Sequence, residues 1–413
     1  MDRVVLHVDC NSFFASVETV HRPELASVPM AVAGDAEARH GIILAKNELA
    51  KGYGVQTAET IWSAKKKCPS LVLVPSSYRE YVRFSQSVHR IYERYTDMIE
   101  SFGIDEAWLD VTGSRTLFGD GYTIAERIRR EVKEELGITV SVGVSFNKVF
   151  AKLGSDYKKP DAVTVILRED VPRIVYPLSV DTMLFVGKQT AKQLYDCNIR
   201  TIGDLAAASP AFLQTKFGKA GNMLSRYARG EDDSPVQNVQ DVTDAKSVSN
   251  GMTFRHDLTR PEEIRLGIDF LSEQVAYRLR KTRMLCTTVS VTVKDYLLKS
   301  VSHQAPLSHA GNSTKEIAEV AAALAMSVVK AGVPVRMLSV CAMGLVREED
   351  AVEQMGFFDD EKNEKRRRRE RLECAIDGIR DRFGAAALQS GGFLGNDIGI
   401  DSEPKGRGPH GTN

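Results

Sequence analysis

The sequence predicts an α+β chain of several domains, and three observations carry that prediction. It is 413 residues long, more than one hydrophobic core usually fills. Its first 166 residues alternate short apolar runs with helical patterns, the mark of mixed α and β layers. After Leu167 the texture turns to small-residue helices punctuated by glycine, and past residue 241 helix and strand patterns alternate again.

Taken in order, Val4 to Val8 reads as a strand, followed by a segment from Ser12 to Val20 and apolar runs at Met30 to Ala33 and Ile42 to Ala45. From Tyr78 to Met98, the residues Tyr81, Phe84, Val88, Ile91, Tyr92 and Tyr95 recur at the spacing of a helix with one buried face. Ile99 to Phe102 and Ala107 to Val111, separated by GIDE, form a hairpin signal with acids at its tip. FVGKQTAKQL, IRTIGDLAAAS and FGKAGNMLSRYARG read as a helical domain that closes near Gly230. The polar, proline-bearing EDDSPVQNVQDVTD reads as a linker. Beyond it come a helix over Glu262 to Thr282 and a strand with one polar face over Cys286 to Lys294. A second helix and strand follow over Thr314 to Val329 and Arg336 to Met343, then a charged helix over Glu361 to Arg382. The final EPKGRGPHGTN is expected to be disordered.

Composition narrows the function classes. With 43% hydrophobic and 27% charged residues, the chain reads as globular and soluble. No apolar run is long enough to span a bilayer, and MDRVVLHVD enters a strand without a secretory cleavage pattern, so a cytoplasmic location is expected. The six cysteines include no CxxC pair, which argues against a structural zinc site or a redox couple. Net charge is zero, without the basic excess common in nucleic-acid binders. The basic residues are concentrated locally: Arg278, Arg280, Lys281, Arg283, Lys294 and Lys299 face a single acid, Asp295, between Ala276 and Ser302.

Two acidic positions fall at strand ends. Asp9 closes VVLHVD, and Asp105 and Glu106 occupy the hairpin turn of SFGIDEAWLDVT. Taken singly, each is as compatible with a solvated turn as with a metal site. Brought together on one end of a sheet, such carboxylates can hold Mg²⁺, which needs few protein ligands beside water and phosphate. Two such ions lower the barrier to in-line phosphoryl displacement from both sides.

VDCNSFFASVE followed later by GIDEAWLDVT resembles the two signature motifs of the Y-family DNA polymerases, most closely the bacterial polymerase IV group, and the likeness runs in order from about residue 3 to residue 358. It implies a right-hand polymerase with a ferredoxin-like palm (1–10 and 77–166), small fingers (11–76) and a helical thumb with a helix-hairpin-helix (167–230). A linker (231–241), an α+β little finger (242–346) and a tail (347–413) complete it. By the same resemblance Asp9, Asp105, Glu106 and the carbonyl of Cys10 hold two Mg²⁺ ions, with Glu106 nearest the primer 3′ hydroxyl. Phe13 and Phe14 border the nucleotide, Phe14 as the wall that excludes a ribose hydroxyl. Lys51 and Lys159 take the triphosphate. Gly187, Lys188, Lys246 and Arg278 meet DNA, and Gln354, Phe357 and Phe358 of QMGFFDD resemble the peptide that binds the bacterial sliding clamp.

The sequence departs from the family pattern at four places: Glu48 stands where a tyrosine is usual, Lys51 where an arginine is, Asn11 for a second aspartate and Gly103 for a serine. The expected function is template-directed, low-fidelity translesion synthesis by a monomer on primed DNA with deoxynucleoside triphosphates, without proofreading. The alternatives are a nucleotide cyclase on a similar palm and a non-catalytic protein that binds DNA or the clamp.

Overall fold

The computed structural model describes residues 2–35, 39, 41–241, 245–330, 332–351 and 360–400. The chain divides into two compact units, Met1–Ala33 with Ile43–Val242 and Gly34–Ile42 with Thr243–Asn413.

In the first unit β1 (Val5–Cys10), α1 (Phe13–His21), β2 (Met30–Ala33), β3 (Ile43–Lys46), α2 (Glu48–Gly52), α3 (Ile61–Lys67), β4 (Val72–Pro75) and α4 (Tyr78–Tyr92) come first. They are followed by β5 (Ile99–Ser101), β6 (Glu106–Asp110), α5 (Arg115–Phe118), α6 (Gly121–Leu136), β7 (Val140–Ser145), α7 (Lys148–Tyr157) and β8 (Val163–Ile166). The helices α8 (Lys188–Asp196), α9 (Ile202–Ala207), α10 (Pro210–Phe217) and α11 (Lys219–Ala228) complete it.

Its main sheet has the order β5-β6-β1-β7-β8, so β1 lies at the centre and every one of its residues is buried. Side chains alternate across a strand, and β1 separates two layers accordingly. Leu6, Val8 and Cys10 join the core built with α4 and α6. Val5, His7 and Asp9 take the opposite face, where Val5 packs with Trp108, Ala151 and Val236. That face is covered by α7, which lies very close to the sheet: a Cβ on Gly143 would meet the Ala151 carbonyl oxygen at 1.9 Å. Glycine at that position permits the approach.

A smaller sheet, β3-β2-β4, packs its own core of Ala31, Ile43, Ala50, Ala64, Cys68 and Leu71. The segment expected to be a linker is fastened along this unit instead. Val236 is buried, Arg3 Nη1 donates to the Ser234 carbonyl at 3.0 Å, and Gln237 N donates to Glu100 Oε2 at 3.1 Å.

The second unit holds β9 (Ser247–Leu258), α12 (Pro261–Lys281), β10 (Met284–Asp295), β11 (Ser300–Gly311), α13 (Thr314–Val328), β12 (Val335–Arg347) and α14 (Asp360–Phe383). An antiparallel sheet of order β11-β10-β12-β9 packs one face against α12 and α13. Two of its strands, β9 and β11, have no counterpart in the sequence reading. Ile398 and Ile400 enter the same core. The expected disordered end, 403–413, lies outside the described residues.

Candidate active site

The register of β1 sets the site. Asp9 stands opposite Glu106 on β6 and opposite Ser141 on β7. Asp105 immediately precedes β6, and its carbonyl accepts from Cys10 N at 2.9 Å, which draws the hairpin tip to the end of β1. Glu106 is thus the first residue of a strand rather than part of the turn. Antiparallel pairing brings together, on one sheet end, acids separated by most of the domain.

A cavity of about 360 Å³ opens there, lined by Asp9, Cys10, Asn11, Ser12, Phe13, Leu44, Ala45, Lys46, Glu48, Lys51, Thr57, Asp105 and Lys159. Glu106 lies beside it, beneath α7. Phe14 does not line this cavity; its ring stacks on Tyr81 with centroids 4.2 Å apart and planes 12° from parallel.

The carboxylates are bridged by ammonium groups. Lys159 Nζ lies 2.7 Å from Asp9 Oδ2 and 2.7 Å from Asp156 Oδ1. Lys152 Nζ lies 3.1 Å from Asp9 Oδ2 and 2.5 Å from Glu106 Oε2. Burial works against the charge on both lysines, but the acids around them raise both above the ordinary lysine value. The acids offer oxygen donors close together on one sheet end, a set that fits a hard metal held by oxygen ligands.

The acids differ in environment. Burial first, then the charges of Asp9 and Glu106, push the Asp105 carboxyl up to about 6. Burial alone would raise Glu106 as well, but hydrogen bonds from His7 and Lys152 override it and hold the group at about 2. His7 is fully buried and itself lowered by that burial. Its Nδ1 lies 2.8 Å from Ser155 Oγ and its Nε2 3.2 Å from Glu106 Oε2. Ser155 Oγ in turn donates to the Lys152 carbonyl at 2.8 Å, which ties the imidazole to α7.

Asn11 is a brace rather than a free ligand. Its Oδ1 accepts from Thr139 Oγ1 at 3.0 Å and from Asp161 N at 2.9 Å, and its Nδ2 donates to Ser141 Oγ at 2.9 Å. Glu48 accepts from Ser12 Oγ at 3.3 Å and lies 3.5 Å from Lys51.

The remaining candidates lie elsewhere. Gly187 caps α8 and Lys188 begins it, beside a second cavity shared with Lys192 and Tyr195. In the second unit Lys246 is exposed, and Arg278 Nη1 donates to the Ser249 carbonyl at 3.0 Å. The expected basic stripe is partly cancelled. Arg280 is clasped by Asp377 at 2.6 Å and Glu373 at 3.0 Å of α14, and Lys281 lies 3.7 Å from Asp381. Gln354, Phe357 and Phe358 lie outside the described residues.

Among the described residues, His256, Glu263 and Asp397 form a set with ligand atoms all within 4.8 Å. Glu263 is already committed there to Arg260 and to the start of α12, so the set reads as a tether for the Asp397 segment.

Sequence reasoning missed His7, Lys46, Lys152 and Ser155. His7 alternates with Asp9 at the strand period, and Lys152 sits one helical turn before Asp156; both spacings were available signals. No helix among the described residues is long and apolar enough to cross a membrane.

Comparison with known proteins bears on this geometry. Residues 8–156 match the model of the impB/mucB/samB family, 245–357 that family's C-terminal domain, and 185–232 the DNA polymerase-iota thumb domain. A DNA polymerase IV from Acetivibrio thermocellus is 46% identical over 394 residues, covering 95% of this chain and 98% of its own length. One from Clostridium kluyveri is 34% identical over 398 residues, covering 95% and 99%. A solved structure, the Y-family DNA polymerase chimera Dbh-Dpo4(243-245)-Dbh, superposes with a TM-score of 0.74 at 26% identity, covering 83% of this chain and 99% of its own.

Proposed function

The chain belongs to the impB/mucB/samB family, the Y-family DNA polymerases, and from that membership we propose how this DNA-directed DNA polymerase works. It adds deoxynucleotides to a primer 3′ end on a DNA template, releases pyrophosphate and carries synthesis across damaged bases without proofreading.

The observation that carries the mechanism is the register that sets Asp9 against Glu106 with Asp105 beside them. Asp9, Asp105, Glu106 and the Cys10 carbonyl are the residues that would hold two Mg²⁺ ions, which would supply positive charge to the attacking hydroxyl and to the departing pyrophosphate. Glu106, kept ionised by His7 and Lys152, lies nearest the primer hydroxyl and aids its deprotonation. Lys159 exchanges Asp9 for the triphosphate, and Lys51 joins it as a point charge, without the fork an arginine offers. Phe14, stacked on Tyr81 and set beside Phe13 of the cavity lining, backs the wall against a ribose hydroxyl, because an added oxygen there has to enter filled space. Phe13 completes the nucleotide cavity.

Gly187 and Lys188, at a helix start, take DNA phosphate without reading sequence. Lys246 and Arg278 extend that contact along the little finger. Gln354, Phe357 and Phe358 dock as a short peptide in the apolar groove of the sliding clamp. The working species is a monomer.

Primer extension tests the proposal. The double variant Asp105→Ala and Glu106→Ala is expected to extend no primer while still binding primed DNA; extension at the normal rate would overturn the assignment.

A further inference from the structure

Trp62 is 74% exposed on α3, an unusual place for the largest apolar side chain. The helix buries its other face, where Ala64 and Cys68 enter the small core with Ile61 against it. Lys65 and Lys66 follow Trp62 at the three- and four-residue spacings that share a helix face. Both are exposed, and neither pairs with an acid among the described residues. Lys66 Nζ lies over the Trp62 ring, 5.6 Å from its centroid, so a cation and the indole share this exposed face. Lys67 is occupied by Glu59 at 2.8 Å.

This face is anchored next to the active site. Thr57 lines the nucleotide cavity. Ala58 N donates to the Ile43 carbonyl at 2.8 Å and Ile43 N to the Glu59 carbonyl at 2.9 Å, pinning the turn to β3. Thr60 then caps α3 through its Oγ1, 3.2 Å from Ser63 N.

We propose that Trp62, Lys65 and Lys66 form a binding site for single-stranded DNA, occupied by the unpaired template ahead of the primer. This rests on the polymerase reading, since a template-directed enzyme must present unpaired template beside its nucleotide cavity. An exposed aromatic flanked by cations is the minimal unit for such a strand: a base stacks on the ring and the lysines meet the adjoining phosphates. Stacking is blind to base identity, so the site accepts any template sequence.

Tryptophan fluorescence reads the site directly, because the chain has two tryptophans and Trp108 is buried at 3% exposure. Primed DNA with a 5′ oligothymidine template overhang is expected to quench the emission of the unmodified protein, and the same duplex made blunt is not. Trp62→Phe should abolish the overhang-specific quenching, and Trp62→Ala should weaken binding to the overhang DNA about tenfold with blunt-duplex affinity unchanged. The pair Lys65→Gln and Lys66→Gln should lower the salt dependence of overhang binding by about 1.4 in log–log slope. Emission indifferent to the overhang, or full overhang affinity in Trp62→Ala, overturns the proposal. Primer extension by the unmodified protein, run alongside, separates the two readings: its absence strikes the polymerase assignment, whereas extension with a silent Trp62 strikes this site alone.

Discussion

His7 Nε2 lies 3.2 Å from Glu106 Oε2, so the strand that carries Asp9 also supplies the imidazole that borders Glu106. Groups behind a metal ligand fix its rotamer, and their loss commonly costs ten- to a hundredfold in activity or metal affinity. His7→Leu is therefore expected to lower kcat by roughly tenfold or more, with a small change in KM for nucleotide. His7→Gln, which keeps a polar group on that side, should recover part of it. Steady-state primer extension with both variants checks this; equal losses in the two contradict the orienting role.

Asp105 sets a pH dependence. Its carboxyl rises to about 6 in the folded, metal-free protein, above the ordinary aspartate value of about 3.9. The folded state therefore binds the extra proton, and this group's stabilisation is complete below the unfolded value and fades as pH climbs through 6. Asp105→Asn should raise the Tm of the metal-free protein at pH 7.5 by a few degrees, and by much less at pH 4. Thermal melts in chelator at both pH values measure the difference, and a larger gain at the acid end contradicts it. Apparent Mg²⁺ affinity should weaken below pH 6 for the same reason.

Glu48 faces the nucleotide cavity and holds Lys51 at 3.5 Å. On the proposed mechanism it would repel a triphosphate and engage a cation that would otherwise bind one. Glu48→Gln is expected to lower KM for nucleotide roughly two- to fivefold, the scale of an exposed ion pair, whereas Lys51→Gln raises it. Single-nucleotide insertion kinetics decide, and a higher KM in Glu48→Gln gives the carboxylate a favourable role.

Arg280 ties α14 to α12, with its side chain 9% exposed and its two acid partners 12% and 13%. Removing one side of a buried pair strands charge and typically costs about 3–5 kcal/mol. Arg280→Ala should destabilise the second unit by that order in chemical denaturation. The salt dependence of DNA binding should stay unchanged, because this arginine is not available to phosphate; a reduced slope would return it to the DNA surface.

How much of this was legible depends on where the information lies. Asp9, Asp105 and Glu106 stand out because they sit at the ends of apolar strand patterns, and antiparallel pairing then brings them together. β9 and β11 did not stand out. They are the edges of their sheet, and an edge strand with one paired side and an exposed face carries little apolar alternation; β11 even contains Pro306. Arg280 counted toward the basic stripe because its neutralising acids, Glu373 and Asp377, arrive late in the chain on a helix that looks merely charged. The polar segment 231–241 read as a linker because Val236 is its one buried apolar residue and its other anchors are polar. Local pattern reveals elements and motif acids; partners distant in sequence appear only once the chain is folded.

The central claim is that Asp9, Asp105 and Glu106 together hold the catalytic metals. Manganese bound to a complex of protein, dideoxy-terminated primed DNA and matching nucleotide can be counted by electron paramagnetic resonance. Two ions per unmodified chain are expected, with at least one lost in Asp9→Ala; an undiminished count in that variant would contradict the account.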